Sequence, residues 1–350
     1  MQIEPIKTAL CSFGMSGKLF HAPFIAANPN YILYGCWERS TKLIEKVYPN
    51  VKSYDNYEEL LSDNEVELVI VNTPNLTHYP FAKQALLAGK HVIVEKPFTV
   101  TVEQAEELIA IAKEQNKQLG VYQNRRYDSD FLSVKSILDQ GLLGEIVEAE
   151  IHFDRYVETL SYKVHKETPV TGVGILYDLG SHIIDQATQL FGTPTHVFAD
   201  IRIVRPISKV DDYFEVLLYY PNNRVRLKAT YVAREQVAGY IIHGSKGSFL
   251  KPKTNIQEEA LLANKPLYDI DWGKEEATSW GILHTSTDGR VVRHTVESLQ
   301  GNYMDYFENV FNAIRHNEAL PVKPEEAALT IKIIHACFES SNTKQVIKLA

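Results

Sequence analysis

This 350-residue sequence has few cysteines, no long apolar run and no excess of basic residues. Its three cysteines, Cys11, Cys36 and Cys337, are odd in number and lie in apolar segments, so we expect reduced, buried thiols rather than a disulfide framework. The 36 basic residues are outnumbered by 44 acidic ones, which gives a formal net charge of −8. That balance argues against nucleic acid or an anionic membrane as the main partner.

Long apolar runs are lacking as well. No run reaches the roughly 18 apolar residues of a membrane-spanning helix, and the N-terminal sequence MQIEPIKTAL has no signal-peptide pattern. We therefore expect a cytoplasmic protein. Apolar residues make up 45% and charged residues 23% of the chain, as in ordinary globular proteins, and the length suffices for about two domains.

The first part of the chain alternates short apolar strands with helical patterns. Predicted strands cover residues 6–13, 31–37, 67–72, 91–94 and 118–123. Predicted helices lie near residues 18–27, 41–47, 76–87 and 102–115. The last of them begins with a capping-box pattern at Thr101 and Gln104. This alternation predicts a parallel, doubly wound sheet, so we assign residues 1–125 to a Rossmann-type α/β domain.

The rhythm changes after Gly144, where long strands follow one another. They are predicted at residues 145–154, 195–204, 212–220 and 224–233, with a hairpin turn at PNNR before the last one. Several alternate polar and apolar residues, which predicts an antiparallel sheet with one face exposed or covered by a partner. Helical patterns lie near residues 175–191, 302–316 and 324–348. We assign residues 126–350 to an α+β domain for substrate binding and oligomerisation, with a large, mostly antiparallel sheet and a C-terminal helix that can pack back on the first domain.

The loop after the first strand, SFGMSGKLFHAPF, has the spacing of a dinucleotide-binding loop. Gly14 and Gly17 match the second and third glycines of the G-x-G-x-x-G pattern, and Ser12 replaces the first. The second glycine lets the backbone approach a pyrophosphate, and the third lets the helix pack against the strand. Because the acidic Glu38 also ends the second strand, we predict a dinucleotide site here. Ser12 leaves the geometry of the tight turn open.

Glu38, Arg39 and Ser40 give conflicting signals about the cofactor. A carboxylate at this position usually accepts hydrogen bonds from the ribose 2′-hydroxyl of NAD. Arg39 and Ser40 instead have the chemistry of a clamp for the 2′-phosphate of NADP, unless Arg39 is only a solvated side chain at the start of a helix. NADP is the predicted cofactor, with NAD as the alternative.

Several motifs, in this order and spacing, carry a resemblance to a known family. They are FGMSGKLFHAPF, VNTPNLTH, EKP and YDLGSHIIDQ, together with NRRYDSDF and HGSKGSF. Over essentially its whole length the chain resembles the glucose–fructose oxidoreductase/inositol dehydrogenase/MocA family of NAD(P)-dependent oxidoreductases. It looks closest to the branch acting on inositols and aldoses, whose first loop also runs into FHAP. The resemblance implies hydride transfer between nicotinamide C4 and a secondary alcohol or carbonyl of a sugar, inositol or related polyol.

A catalytic set follows from the same resemblance. Lys96, Asp178 and His182 correspond to the family residues that face nicotinamide and substrate. Lys96 ends a predicted strand, and ligands of open α/β sheets bind beyond the carboxyl ends of strands. Asp178 and His182 share one helix stripe with Asp185 and Gln189. Their spacing offers two metal ligands without a fitting third, so no metal is predicted.

Each member of this set has an expected role. His182 is the candidate base, because histidine titrates near neutral pH. Asp178 orients its ring or binds a second hydroxyl, and Lys96 polarises the reacting oxygen. Pro97 rigidifies the turn that presents the lysine, which resembles a cis X-Pro site.

The resemblance also places residues along the cofactor. Glu95 is expected either by the ribose or only in a pair with Lys96 or its neighbours, and His78 either on a helix surface or against the cofactor. The full cofactor set is Ser12, Phe13, Gly14, Ser16, Gly17, Glu38, Arg39, Ser40, Thr73, Pro74, Asn75, His78, Glu95, Lys96, Pro97 and Asn124. A further segment can reach the site and shape substrate choice through Tyr156, Tyr162, Lys163 and His165.

Two other functions stay open at this point: a dinucleotide-sensing regulator without turnover, and an enzyme that cleaves glycosides through transient hydride transfer. Retention of the whole catalytic set favours an enzyme, since a sensor needs no acid/base groups. The strand sequence YFEVLLYY is apolar on both faces, which predicts a homodimer or homotetramer built sheet to sheet. The predicted partner is otherwise a small polyol or sugar.

Overall fold

The computed structural model describes residues 4–287 and 289–349, which form two compact units. Unit 1 contains the chain through Asn124, together with Glu258–Trp272 and Tyr303–Leu329. Unit 2 contains Arg125–Gln257, Gly273–Asn302 and the chain from Thr330 onward. Each unit is built on one sheet.

Unit 1 is organised around a six-stranded sheet whose neighbouring strands are all parallel. Its strands are β1 (Ile6–Leu10), β2 (Tyr31–Trp37), β3 (Lys52–Tyr54), β4 (Leu68–Val71), β5 (His91–Glu95) and β6 (Leu119–Tyr122). The order β3-β2-β1-β4-β5-β6 reverses direction between β1 and β4. Ligands of such sheets bind at this reversal, beyond the carboxyl ends of the strands. The predicted parallel, doubly wound sheet is confirmed.

The helices connect and cover the strands. In chain order they are α1 (Ala22–Ala27), α2 (Ile44–Val47), α3 (Tyr57–Ser62), α4 (His78–Leu87), α5 (Val102–Glu114), α6 (Ser129–Asp139), α7 (Ser181–Phe191), α8 (Ile256–Leu262), α9 (Met304–His316) and α10 (Pro324–Thr343). Two π-helical turns, Gly17–His21 and Leu176–Gly180, lead directly into α1 and α7. Such turns are rare and often occur at functional sites.

Local signals explain most of the helix starts in unit 1. The capping box of α5 forms as predicted, with Thr101 and Gln104 each bonding the other's backbone. Helix α2 begins at Ile44, three residues later than predicted. The side-chain carboxylate of Glu38 accepts from the Ile44 amide and so caps the helix at this residue. Strand β3 and helix α3 were not predicted, although Asn56 caps α3 by accepting from the Glu59 amide at 2.8 Å.

Helix α9 completes the core of unit 1 with an aromatic stripe. Phe307 stacks on Phe24 of α1, with ring centroids 5.6 Å apart. Tyr306 meets Tyr122 of β6 edge-on, with centroids 4.9 Å apart. All four rings are almost completely buried. This late segment of the chain therefore belongs to the core of the N-terminal sheet, through large apolar surfaces and favourable ring geometry.

Unit 2 contains a nine-stranded sheet in the order β14-β13-β12-β11-β7-β10-β9-β8-β15. Its strands are β7 (Ile146–His152), β8 (His196–Arg202), β9 (Tyr213–Tyr219), β10 (Arg224–Thr230), β11 (Tyr240–Gly244), β12 (Gly247–Lys251), β13 (Gly281–Thr287), β14 (Arg290–Val296) and β15 (Ile347–Lys348). All neighbours pair antiparallel except β7 and β10. The predicted α+β architecture is confirmed, as is the β9–β10 hairpin, whereas β11 to β15 were not predicted.

One face of this sheet is buried under α7, which contacts β7 and β10. Along β9, Phe214, Val216 and Leu218 are buried, while Leu217 and Tyr219 on the other face are half-buried. The strand therefore alternates as a half-covered antiparallel strand should. Among the residues that the structure describes, no helix has the length and apolar character needed to cross a bilayer.

Candidate active site

The loop between β1 and α1 closes through the residue that replaces the first glycine of the motif. The Gly14 amide donates to Oγ of Ser12 at 3.1 Å, and Nδ2 of Asn72 donates to the Ser12 carbonyl at 2.8 Å. A Cβ at Gly17 would lie 2.3 Å from that carbonyl oxygen, so only glycine fits. A Cβ at Gly14 would contact Ser12 Oγ at an ordinary 3.4 Å. Packing within the protein therefore does not require glycine at position 14. A glycine is expected at this position if a cofactor phosphate approaches the backbone closely.

The carboxylate of Glu38 at the end of β2 is already engaged. Its Oε2 accepts from the Ile44 amide at 2.9 Å, and the residue is only 8% exposed. Arg39 and Ser40 beside it are exposed. The guanidinium of Arg39 and the hydroxyl of Ser40 are therefore exposed to solvent beside the Glu38 carboxylate, which bonds the first residue of α2.

His78 is fully buried at the start of α4 and joins two loops at the carboxyl edge of the sheet. Its Nδ1 lies 2.9 Å from the carbonyl oxygen of Pro97, and its Nε2 lies 2.8 Å from that of Thr73. The helix-surface alternative for this residue is therefore wrong. Burial lowers the pKa of His78, against the opposing effect of the two carbonyl groups. The imidazole fixes the turn after β5 to the loop after β4.

Glu95 braces the same turn through its carboxylate. The peptide bond between Lys96 and Pro97 is cis, as predicted. Glu95 Oε2 accepts from the Lys96 amide at 3.1 Å, while Oε1 accepts from the Ser16 hydroxyl and lies 2.8 Å from Nε2 of His21. Burial raises the pKa of Glu95, but His21, Ser16 and the charge of Lys96 outweigh burial and lower it to about 2. An ionised carboxylate thus links the glycine loop to the lysine turn.

His21 was missing from the predicted site. It ends the π-helical turn after the glycine loop, is completely buried, and packs with its ring centroid 4.5 Å from that of Tyr122. The FHAP sequence that contains it was the one available signal, because it is shared with the inositol and aldose branch. The hydrogen bond to Glu95 depends on tertiary packing that this sequence motif does not describe.

The other predicted cofactor residues lie at or beside the same edge. Phe13 turns its ring into the core, with its centroid 6.1 Å from that of Tyr48. Pro74 and Asn75 follow β4 and lead into α4, and Asn124 directly follows β6. Within the described parts of the chain, no group of three or more His, Cys, Asp or Glu side chains is arranged to hold a metal ion.

Unit 2 carries the other two predicted catalytic residues on consecutive helical turns. Asp178 lies in the π-helical turn and His182 in the first turn of α7. Oδ2 of Asp178 accepts from Nζ of Lys166 at 2.8 Å. The Asp178 side chain is 27% exposed, whereas His182 is only 4% exposed. A carboxylate that reaches solvent therefore stands next to an almost fully buried imidazole on the same helix.

Two members of the polar stripe, His182 and Asp185, are buried on α7, whereas Gln189 is half-buried. Arg126 donates through Nε and Nη2 to the two oxygens of Asp185, at 2.8 and 2.6 Å, and Asp185 is 1% exposed. Gln186 accepts from the Tyr240 hydroxyl at 3.0 Å. These bonds hold α7 one turn beyond His182. Arg126 lies in the NRRYDSDF motif and Gln186 in the YDLGSHIIDQ motif, yet neither residue had a predicted role.

The segment expected to shape substrate choice contacts the helix through a residue that was not predicted. Tyr156 donates to Glu158 at 2.8 Å, accepts from Arg234 at 2.6 Å and packs under its guanidinium, so these bonds hold its hydroxyl at the protein surface. Tyr162 is 84% exposed. The ammonium that bonds Asp178 comes from Lys166. Its place in a polar surface loop gave no sequence signal.

Both parts of the chain are similar to known proteins. Residues 6–123 match the family model "Oxidoreductase family, NAD-binding Rossmann fold", and residues 135–349 match "Oxidoreductase family, C-terminal alpha/beta domain". The scyllo-inositol 2-dehydrogenase (NADP(+)) IolW of Bacillus subtilis (strain 168) is 35% identical over 348 residues, which are 99% of this chain and 97% of that protein. The solved structure of yvaA from Bacillus subtilis superposes with a TM-score of 0.96 at 35% identity, covering 100% of both chains. A solved structure from Bacteroides fragilis superposes with a TM-score of 0.90 at 43% identity, covering 99% of this chain and 100% of that chain.

Proposed function

Because the chain belongs to the glucose–fructose oxidoreductase/inositol dehydrogenase/MocA family and is an NAD(P)-dependent dehydrogenase, we propose that it oxidises or reduces an inositol, a sugar or a related polyol. The observation that carries this proposal is the bracing of the Lys96 turn. Glu95 holds the turn through the Lys96 amide, and His78 holds it through the Pro97 carbonyl. A lysine that merely ended a strand would need no such support, whereas a lysine over a reacting carbon must be held in a fixed position.

NADP is the proposed cofactor. Gly14 leaves room for a pyrophosphate, and the Glu38 carboxylate is bonded to the Ile44 amide while Arg39 and Ser40 are exposed. A guanidinium and a hydroxyl suit a 2′-phosphate better than a ribose hydroxyl. The similar protein IolW is named as acting with NADP(+). The cofactor supplies the hydride acceptor, and every other group in the reaction belongs to the chain.

The catalytic roles follow from the chemistry of alcohol oxidation. His182 takes the hydroxyl proton, because an imidazole transfers protons efficiently near neutral pH. The Lys96 ammonium stabilises negative charge as it develops on the substrate oxygen. Asp178 binds a second hydroxyl of the polyol. In the reducing direction the same groups return the proton to the carbonyl oxygen.

A substrate panel tests the proposal. Inositols and aldoses are incubated with NADP and with NAD, and the appearance of reduced nicotinamide is followed by absorbance. We expect turnover of at least one polyol, faster with NADP, that is absent when the polyol is omitted. If the cofactor binds by fluorescence titration but no polyol or aldose is turned over in either direction, the proposed activity is wrong. A product with a cleaved glycosidic bond would point instead to the glycoside-cleaving chemistry of the same fold.

A further inference from the structure

Residues 160–173 of unit 2 form an exposed loop with its own internal hydrogen bonds. The Ser161 amide donates to Oε1 of Glu167 at 2.7 Å. The amides of Lys166 and Glu167 donate to the carbonyls of Lys163 and Val164 at 2.9 and 3.0 Å. These bonds give the loop a defined shape although most of its side chains are exposed. Lys166 is therefore presented from an ordered backbone.

Both ends of this loop are anchored to backbone segments that border the strands β8, β9 and β10 of unit 2. On the N-terminal side, the Val157 amide donates to the Tyr231 carbonyl at 2.9 Å. The buried guanidinium of Arg205 also donates to the carbonyls of Val157 and Thr159, at 3.0 and 3.2 Å. On the C-terminal side, the Ile175 amide donates to the backbone carbonyl of Asp211 at 2.9 Å. The anchors restrict where Lys166 can reach.

From this position Lys166 extends to Asp178. Nζ lies 2.8 Å from Oδ2, and the two side chains are 42% and 27% exposed. An ion pair as exposed as this contributes little to folding, because solvent screens it and both side chains lose freedom. Stability alone is thus a weak account of the contact. An exposed ammonium next to a half-buried carboxylate is instead accessible to a small polar ligand.

We propose that Lys166 is a substrate-binding and specificity-determining residue of the polyol site, an inference that rests on the proposed function. A hydroxyl both donates and accepts hydrogen bonds, whereas a carboxylate only accepts and an ammonium only donates. When one substrate hydroxyl donates to Asp178, the neighbouring oxygen of a vicinal diol accepts from Lys166. The two side chains together therefore select substrates with adjacent hydroxyl groups. Simple secondary alcohols lack the second oxygen and gain nothing from Lys166.

Steady-state kinetics of three variants test this assignment. Lys166→Met keeps the length of the stem and removes the charge, and Lys166→Arg keeps the charge. Lys135→Met is the matched control, because Lys135 is about as exposed as Lys166 and pairs with Asp139 at 2.6 Å in the same unit. Each variant is assayed on the best polyol of the panel and on a simple secondary alcohol, with saturating NADP.

We expect Lys166→Met to raise KM for the polyol about 10- to 100-fold, the range for losing a hydrogen bond to a charged group. Its kcat should stay within about threefold of wild type, as for a residue that binds ground and transition states equally. Lys166→Arg should recover part of the affinity, and Lys135→Met should match wild type.

Three results overturn the assignment. An unchanged polyol KM in Lys166→Met shows a surface ion pair only. A lower kcat at unchanged KM shows a residue that positions Asp178 without touching substrate. An equal rise in KM for the polyol and the simple alcohol removes the role in specificity. If the wild-type enzyme turns over no polyol or aldose, the proposed function falls and takes this inference with it, which distinguishes the two failures.

Discussion

Nε2 of His21 lies 2.8 Å from Oε1 of Glu95, although the two residues are 74 positions apart in the chain. Ser16 of the glycine loop donates to the same oxygen, and the Lys96 amide donates to the other. One buried carboxylate therefore holds together a loop of the dinucleotide site and the turn that presents Lys96. A movement of the glycine loop or of the Lys96 turn would therefore change the hydrogen bonds of both segments to Glu95.

The pH dependence of stability should report on Glu95. Its pKa in the folded state is lowered from 4.5 to about 2, so its stabilising contribution is complete above about pH 4.5 and is lost as pH falls towards 2. We expect Glu95→Gln to lower the free energy of unfolding at pH 7 by up to roughly 3 kcal/mol, with the difference shrinking between about pH 5 and pH 2. Denaturant unfolding across this range measures it. Glu114→Gln, at an exposed helix end, is the control, and a difference that does not vary with pH would contradict the assignment.

The two glycines of the first loop should respond differently to alanine. A methyl group at Gly17 meets the Ser12 carbonyl oxygen at 2.3 Å, so Gly17→Ala should destabilise the fold by about 1–3 kcal/mol. The methyl group of Gly14→Ala has room within the protein, so the free energy of unfolding of this variant should lie within about 0.5 kcal/mol of the wild-type value. It should nevertheless weaken cofactor binding about tenfold or more, since the methyl group occupies the phosphate approach. Wild-type cofactor affinity in Gly14→Ala would remove this loop from the cofactor site.

Arg39 should separate the two cofactors. Only NADP carries the 2′-phosphate, so Arg39→Ala should reduce kcat/KM about 10- to 100-fold for NADP and little for NAD. Lys42→Ala removes a nearby cation that pairs with Asp55, and it should leave the ratio unchanged. A wild-type enzyme that clearly prefers NAD would contradict the NADP proposal outright.

Assembly should depend on the half-buried face of the unit 2 sheet. Leu217 lies on this face opposite Phe198 of β8 and Arg226 of β10, whereas the other face is covered by α7. We propose that two copies pair through it, because the neighbouring apolar side chains of Leu217 and Phe198 are only half-buried on this otherwise charged face. Leu217→Glu should shift the mass measured by light scattering towards the monomer, while Leu262→Glu at an exposed position should not. A wild-type monomer at micromolar concentration would rule out this assembly.

Regular features of the fold could be predicted from local sequence. Alternating apolar strands and helices gave the parallel sheet, and Thr101 with Gln104 gave the start of α5. Short or exposed elements escaped prediction because they lack periodicity. Strand β3 has three residues, and the exposed strand β14 has no alternation of apolar and polar residues.

Only those residues of the candidate site that lie within sequence motifs could be predicted. Lys96, Asp178 and His182 lie within recognisable stretches, and so does the glycine loop. The residues that support this site lie outside the motifs or far along the chain: His21 bonds Glu95 from 74 positions away, Arg126 bonds Asp185 from 59, and Lys166 bonds Asp178 from a loop 12 positions away. Such contacts depend on tertiary packing, which a single sequence does not encode in any local pattern.

The most direct test of the account is the turnover of Lys96→Met on the substrate identified by the panel, measured together with its affinity for NADP. The variant keeps most of the stem's volume and leaves the bonds of Glu95 and His78 to the backbone of the turn intact. We expect near-normal NADP binding with kcat reduced at least about 10²-fold, as for the loss of a group that stabilises developing charge. Lys113→Met, on the exposed face of α5, should behave as wild type. Normal turnover by Lys96→Met would show that the lysine only ends a strand, and the proposed active site would be wrong.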